Sequence, residues 1–163
     1  MAVKIVENAK VSRPSTCNAM ETLLVHRDVA KDFLETLAPV MKDDAVELRG
    51  DDEARAVSAM KAADDEDWAT EYNSLIMSVK VVDSLDEALD HIRRFSTHHS
   101  EAIVTNNKET AEAFQKSVDS AASTSTPRRA LPTASSSALV PKSASARRNC
   151  TSAVLWARSL GFV

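Results

Sequence analysis

The run Leu75-Ile76-Met77-Ser78-Val79-Lys80-Val81-Val82, followed at once by Asp83-Ser84-Leu85-Asp86-Glu87, decides the fold class. Its eight residues are rich in Ile and Val and free of Gly and Pro, the composition and length of a strand. A helix start follows. Ser84 is spaced to accept from the backbone N–H three residues on, and Glu87 to reach back, a capping box whose serine contributes about 1 kcal/mol. The pattern predicts a helix from there to about Phe95.

The same alternation recurs on both sides. Downstream, Ala102-Ile103-Val104 reads as a strand, and Lys108 to Val118 as a helix with Ala111, Phe114 and Val118 on one face. Upstream, Thr22-Leu23-Leu24-Val25 is an apolar run of strand length. Asp28 then stands where a cap belongs, before a helix carrying Val29, Phe33, Leu34 and Leu37. Ala45 to Leu48 reads as a short strand, Asp51 to about Ala63 as a weaker helix, and Asp64 to Asn73 as an acidic stretch holding Trp68 and Tyr72. Ala2 to Val11 has apolar residues at helical spacing and ends before Pro14. Strands alternating with helices predict an α/β domain, three-layered, with a mainly parallel sheet.

At 163 residues one domain is expected. No Asp or Glu follows Asp119, whereas six Lys or Arg do, so residues 1–119 carry −10 and the tail +6. An acidic body is a poor match to the phosphates of nucleic acid, and no segment has the length and apolarity of a membrane span. Two cysteines make no disulfide framework, which points to a reducing compartment, the cytoplasm. Only Gly50 and Gly161 are present, so neither a Rossmann fingerprint nor a P-loop is possible. His98 and His99 lack spaced Cys or carboxylate partners, and no metal is assigned.

The residues with chemistry to offer are Arg13-Pro14-Ser15-Thr16-Cys17-Asn18. They place one thiol in a proline-bounded turn between a helix and a strand. A cysteine of this kind is a candidate nucleophile; the structural alternative is an inert buried thiol. The segment Ala2–Lys10 together with Arg13–Asn18 closely resembles the gamma-glutamyl phosphate reductases, also called glutamate-5-semialdehyde dehydrogenases. Glu21–Val25, Trp68–Tyr72, Val79–Ala88 and His99–Thr105 resemble that family in order and spacing.

The resemblance implies the catalytic, thiol-bearing part of an aldehyde-dehydrogenase-like fold over 1–119. The implied activity is NADPH-dependent reduction of gamma-glutamyl phosphate to glutamate 5-semialdehyde in proline biosynthesis, by homo-oligomers. Cys17 takes the position of the catalytic cysteine. Glu71 resembles the glutamate set on the nicotinamide ribose. A thiol with its ordinary pKa near 8.5 is a few per cent ionised at neutral pH, so the fold must activate it. Arg13 and backbone N–H groups are the expected helpers, and the Cys17 N–H or the Asn18 side chain the expected oxyanion donors.

The resemblance also implies an incomplete catalytic domain, read as a monomer by itself, with the NADPH-binding domain outside this chain. From Ser120 to Asn149, eleven residues are Ser or Thr and seven are Ala, so 120–163 is expected to be disordered. After Ala122 the family continues Val-Tyr-Val-Asn-Ala-Ser. Codons GTC TAC GTC AAC GCC TCG that lose their first base spell Ser-Thr-Ser-Thr-Pro-Arg, the run Ser123–Arg128. The tail is therefore read as out of frame, which the coding DNA decides. Two alternatives stay open: a non-catalytic fragment or pseudogene product that at most associates with an intact reductase subunit, and a relative acting on another acyl group.

Overall fold

Successive side chains of a strand point to opposite faces of a sheet, and in Met20–His26 and Ile76–Val82 both faces are buried. Leu23, Val25, Met77, Val79 and Val81 enter one apolar cluster, while Leu24 and Val82 enter another. Strands buried on both sides require helices on both sides. The computed structural model, which describes residues 1–119, Ala122–Thr126 and Thr151–Leu155, supplies them.

The elements are α1 (Ala2–Val11), β1 (Met20–His26), α2 (Arg27–Asp43), β2 (Glu47–Gly50), α3 (Asp52–Val57), β3 (Lys61–Ala62), β4 (Ile76–Val82), α4 (Leu85–Phe95), β5 (Ser100–Val104), α5 (Lys108–Ser117), β6 (Ala122–Thr126) and β7 (Thr151–Leu155). Their sheet has the order β3-β2-β4-β1-β7-β5-β6, and every ladder is parallel. In register, Thr22 faces Ser78 and Val25 faces Val81. Val6 of α1, Phe33, Leu34, Leu37 and Met41 of α2 and Ala54 of α3 cover the first face. Ala88, Leu89 and Ile92 of α4 and Phe114 of α5 cover the second. The α/β class and the three layers are those expected.

Local chemistry explains where the elements stop. Ser84 Oγ accepts from Glu87 N–H at 3.1 Å, and the Glu87 carboxylate accepts from Asp83 N–H at 2.8 Å, so the box closes one residue earlier than the motif suggests. The cap of α2 is His26 and not Asp28: the His26 ring Nδ1 accepts from Asp28 N–H at 3.2 Å while Nε2 donates to Asp83 O at 3.1 Å. Asp28 falls instead in the first turn. The strand expected at Ala45–Leu48 begins two residues later, because Ala45 has φ 57° and the chain closes α2 by bonds from Ala45 N–H to Lys42 O and Val46 N–H to Met41 O. The weak helix expected to Ala63 ends at Val57, and the chain turns back to pair Lys61 and Ala62 with Arg49 and Gly50.

Two stretches of the tail are among the described residues. Ala122–Thr126 pairs with β5, and Thr151–Leu155 enters between β1 and β5. Ladder bonds join backbone groups, and β-branched Thr and Val suit a pleated surface. The rest of the tail, including Cys150, lies outside the described residues.

One buried group is poorly matched to its surroundings. Glu101 on β5 is 1% exposed; Ser96 Oγ donates to its Oε1, and its Oε2 is buried with no hydrogen-bond partner. Burial pushes this carboxyl up to about 7, against the opposing pull of the Ser96 bond. The folded state therefore holds a proton that the unfolded chain releases near 4.5, and stability falls as pH rises between those values. In urea unfolding, Glu101→Gln should gain on the parent by roughly 1–3 kcal/mol between acid and mildly alkaline pH; a pH-independent gap would contradict this.

Candidate functional site

The loop between α1 and β1 carries Cys17, and its two ends are joined by an ion pair. Lys10 sits one helical turn after Val6 on the buried stripe of α1, and Glu21 is the second residue of β1. Lys10 Nζ donates to Glu21 Oε2 at 2.8 Å, with Lys10 0% and Glu21 3% exposed. Burial raises the Glu21 carboxyl, and the Lys10 ammonium with the backbone amides of Asn73 and Tyr72 pulls it back without cancelling the rise. Between the anchors the chain makes two successive tight turns, Thr16 N–H to Arg13 O at 3.2 Å and Ala19 N–H to Thr16 O at 2.9 Å. Thr16 Oγ1 also donates to Arg13 O at 2.8 Å. Cys17 is a free, exposed thiol on this scaffold, and Asn18 beside it is also exposed.

Glu71 stands on the segment leading into β4, the hydrogen-bonded neighbour of β1. Because every ladder is parallel, Cys17 and Glu71 both lie at the edge where strands begin. Adjacent strands are about 4.8 Å apart. Glu21 Oε1 accepts from Asn73 N–H at 3.2 Å, and Asn73 Nδ2 donates to Glu71 O at 3.3 Å. The structure thus ties the Cys17 loop to the Glu71 segment through one carboxylate.

The Glu71 segment is also held from its other side. Tyr72 OH donates to Asp67 Oδ1 at 2.7 Å and lies 2.8 Å from Ser78 Oγ, and Arg49 Nη1 donates to the same Asp67 oxygen at 2.7 Å. The Arg49 guanidinium also lies 5.2 Å from the centre of the Tyr72 ring. Burial works against the Asp67 charge, but the Asp64 amide, Tyr72 and Arg49 hold it below the ordinary carboxylate range. Burial pushes the Tyr72 phenol up to about 12, so it stays a donor at neutral pH.

A cavity of about 380 Å³, lined by Lys4, Glu7, Asn8, Val11 and Ser12, opens beside the start of the loop. Among the described residues no three His, Cys, Asp or Glu side chains are grouped to hold a metal ion, and no helix is long and apolar enough to cross a membrane. The described residues hold a single glycine, Gly50, and so no glycine-rich phosphate loop, and by themselves they do not fit a whole nicotinamide dinucleotide.

The chain is 53% identical over 122 residues to gamma-glutamyl phosphate reductase of Limosilactobacillus reuteri (strain DSM 20016), covering 74% of the chain and 30% of the relative. With that of Lacticaseibacillus casei (strain BL23) the identity is 57% over 122 residues, 74% of the chain and 29% of the relative. A crystal structure of gamma-glutamyl phosphate reductase from Thermotoga maritima superposes with a TM-score of 0.74 at 43% identity, over 76% of this chain and 30% of that one. Over about three quarters of its length the chain matches gamma-glutamyl phosphate reductases. No family model matches it. It spans about 30% of the length of the reductases it matches.

Sequence reasoning named Cys17, Asn18 and Glu71 and missed Lys10, Glu21 and Asn73. The available signal was a lysine on the apolar stripe of α1 and a glutamate inside a fully buried strand run. Removing one member of such a pair leaves a buried charge alone, at about 3–5 kcal/mol, whereas removing both is far milder. Lys10→Met should destabilise the chain by that amount in urea unfolding, and Lys10→Met with Glu21→Met should recover most of it. Equal stability of the single and double variants would show that the pair is not energetically coupled.

Proposed function

We propose that this chain contributes the covalent half of an acyl phosphate reductase site, with Cys17 as the nucleophile. The observation that carries the reading is an exposed thiol on a loop pinned at both ends by a buried ion pair, within a segment more than half identical to reductases of known name. The substrate is gamma-glutamyl phosphate. Attack by the Cys17 thiolate forms a carbon–sulfur bond and breaks the carbon–oxygen bond to phosphate, which leaves with the electron pair. Asn18 and the Cys17 N–H serve as donors to the oxyanion of the tetrahedral intermediate. A nicotinamide cofactor, NADPH in this reading, would supply the hydride needed to reduce the thioester to the level of glutamate 5-semialdehyde, and of this chain's residues Glu71 would hold its ribose.

The whole enzyme acts as a homo-oligomer in the cytoplasm, in proline biosynthesis. The 163-residue chain by itself lacks a phosphate-gripping loop and does not turn over. Its tail from about Ala122 is an out-of-frame reading, and the strand pairing of β6 is compatible with that because the ladder joins backbone to backbone.

Two measurements test the proposal. Substituting serine at the position aligned with Cys17 in the Limosilactobacillus reuteri reductase should lower turnover by about 10³-fold or more; a rate near that of the parent removes the thioester route. Titrating the purified 163-residue chain with NADPH should show no saturable binding, and micromolar binding would overturn the assignment of the cofactor's grip to other sequence.

A further inference from the structure

We propose that Glu21 is a positioning residue whose two oxygens hold the Cys17 loop and the Glu71 segment in one fixed relation. The inference rests on the reading of Cys17 as nucleophile for its catalytic meaning and on geometry for its content. The two oxygens have different tasks. Oε2 takes the Lys10 ammonium at 2.8 Å and so joins the last turn of α1 to the start of β1, closing the loop that bears the thiol. Oε1 takes the Asn73 N–H at 3.2 Å and so joins the same point to the segment entering β4.

The second task needs an unusual backbone. Asn73 has φ 51°, a left-handed conformation that Asn tolerates better than most residues. With that backbone its N–H meets Glu21 while its side-chain Nδ2 reaches Glu71 O at 3.3 Å. One residue thus reads the position of Glu21 and passes it to Glu71.

Stability alone does not account for the arrangement. A buried ion pair is often no better than apolar side chains of the same volume, because desolvation offsets the attraction. A methionine pair would pack α1 on β1, but it could not accept the Asn73 amide. What the carboxylate adds over an apolar pair is therefore a link between two loops, at the strand-entry edge where both named site residues stand.

The test uses the full 163-residue chain and two readouts, amide hydrogen exchange at Asn73 and the rate of iodoacetamide alkylation of Cys17 followed on its own peptide. In the unmutated chain the Asn73 amide, although its residue is exposed, should exchange about a hundredfold more slowly than a free peptide. A near-peptide rate overturns the proposal with no substitution involved. Glu21→Gln keeps an acceptor oxygen and loses the charge, so Asn73 protection should persist within about twofold while Cys17 alkylation shifts by about threefold or more. Glu21→Met should shift Cys17 and also speed Asn73 exchange by about tenfold or more. Protection at Leu24 and Val79 reports that the sheet is intact in each variant. Asn73 exchange that does not distinguish Gln from Met, or alkylation unchanged in both, overturns the bridge. Loss of the thioester route in the intact reductase would leave these readouts unmoved, so the two readings fail separately.

Discussion

The Lys10–Glu21 pair is the constraint on which the candidate site depends. Both groups are out of water, so each must find its partner or carry a large desolvation cost, and the loop between them has little freedom over where it begins and ends. The eight residues from Ser12 to Ala19 that join α1 to β1 are thereby compressed around two tight turns, with the thiol displayed outward. The apolar packing of Val6, Met20 and Leu37 places α1 and α2 on the same face of the sheet, but it does not by itself choose the conformation of the loop.

A second polar knot organises the neighbouring segment. Asp67 collects Arg49, Tyr72 and the Asp64 amide, and Ser78 Oγ reaches both Tyr72 and the Asp67 carbonyl. Trp68, next in the chain, meets the His91 ring edge-on at 5.5 Å, which docks the segment on α4. The stretch before β4 has little regular structure, yet Asp67 and Tyr72 are hydrogen-bonded and Trp68 is seated on His91. A loop held this way can present Glu71 reproducibly without belonging to a helix or strand.

Much of the fold was legible because its signals are local. The Ile and Val run of β4, the Ser84 box and the apolar stripes of α2 and α4 each involve residues a few places apart. What failed was set by distant partners. His26 became a cap because Asp83, 57 residues on, orients its ring. Ala45 took the left-handed position that a glycine usually advertises, so the end of α2 was silent in the sequence. Lys10 and Glu21 looked like ordinary charges because their spacing of eleven crosses a helix, a loop and a strand. Cys17 was recognised through the residues around it and their resemblance to a family, and a turn holding one thiol would not have singled it out unaided.

The uniform direction of the strands has an electrostatic consequence for the edge at which they begin. Each helix that follows a strand runs back the opposite way, so α2, α4 and α5 all end at the edge where Cys17 stands, and α1 ends there too. Helix C-termini carry the negative end of the macrodipole, roughly half an elementary charge each. The same helices carry basic residues in their last turns, Lys42 on α2, Arg93 and Arg94 on α4 and Lys116 on α5, so this rim holds cations against the carbonyl poles of its own domain.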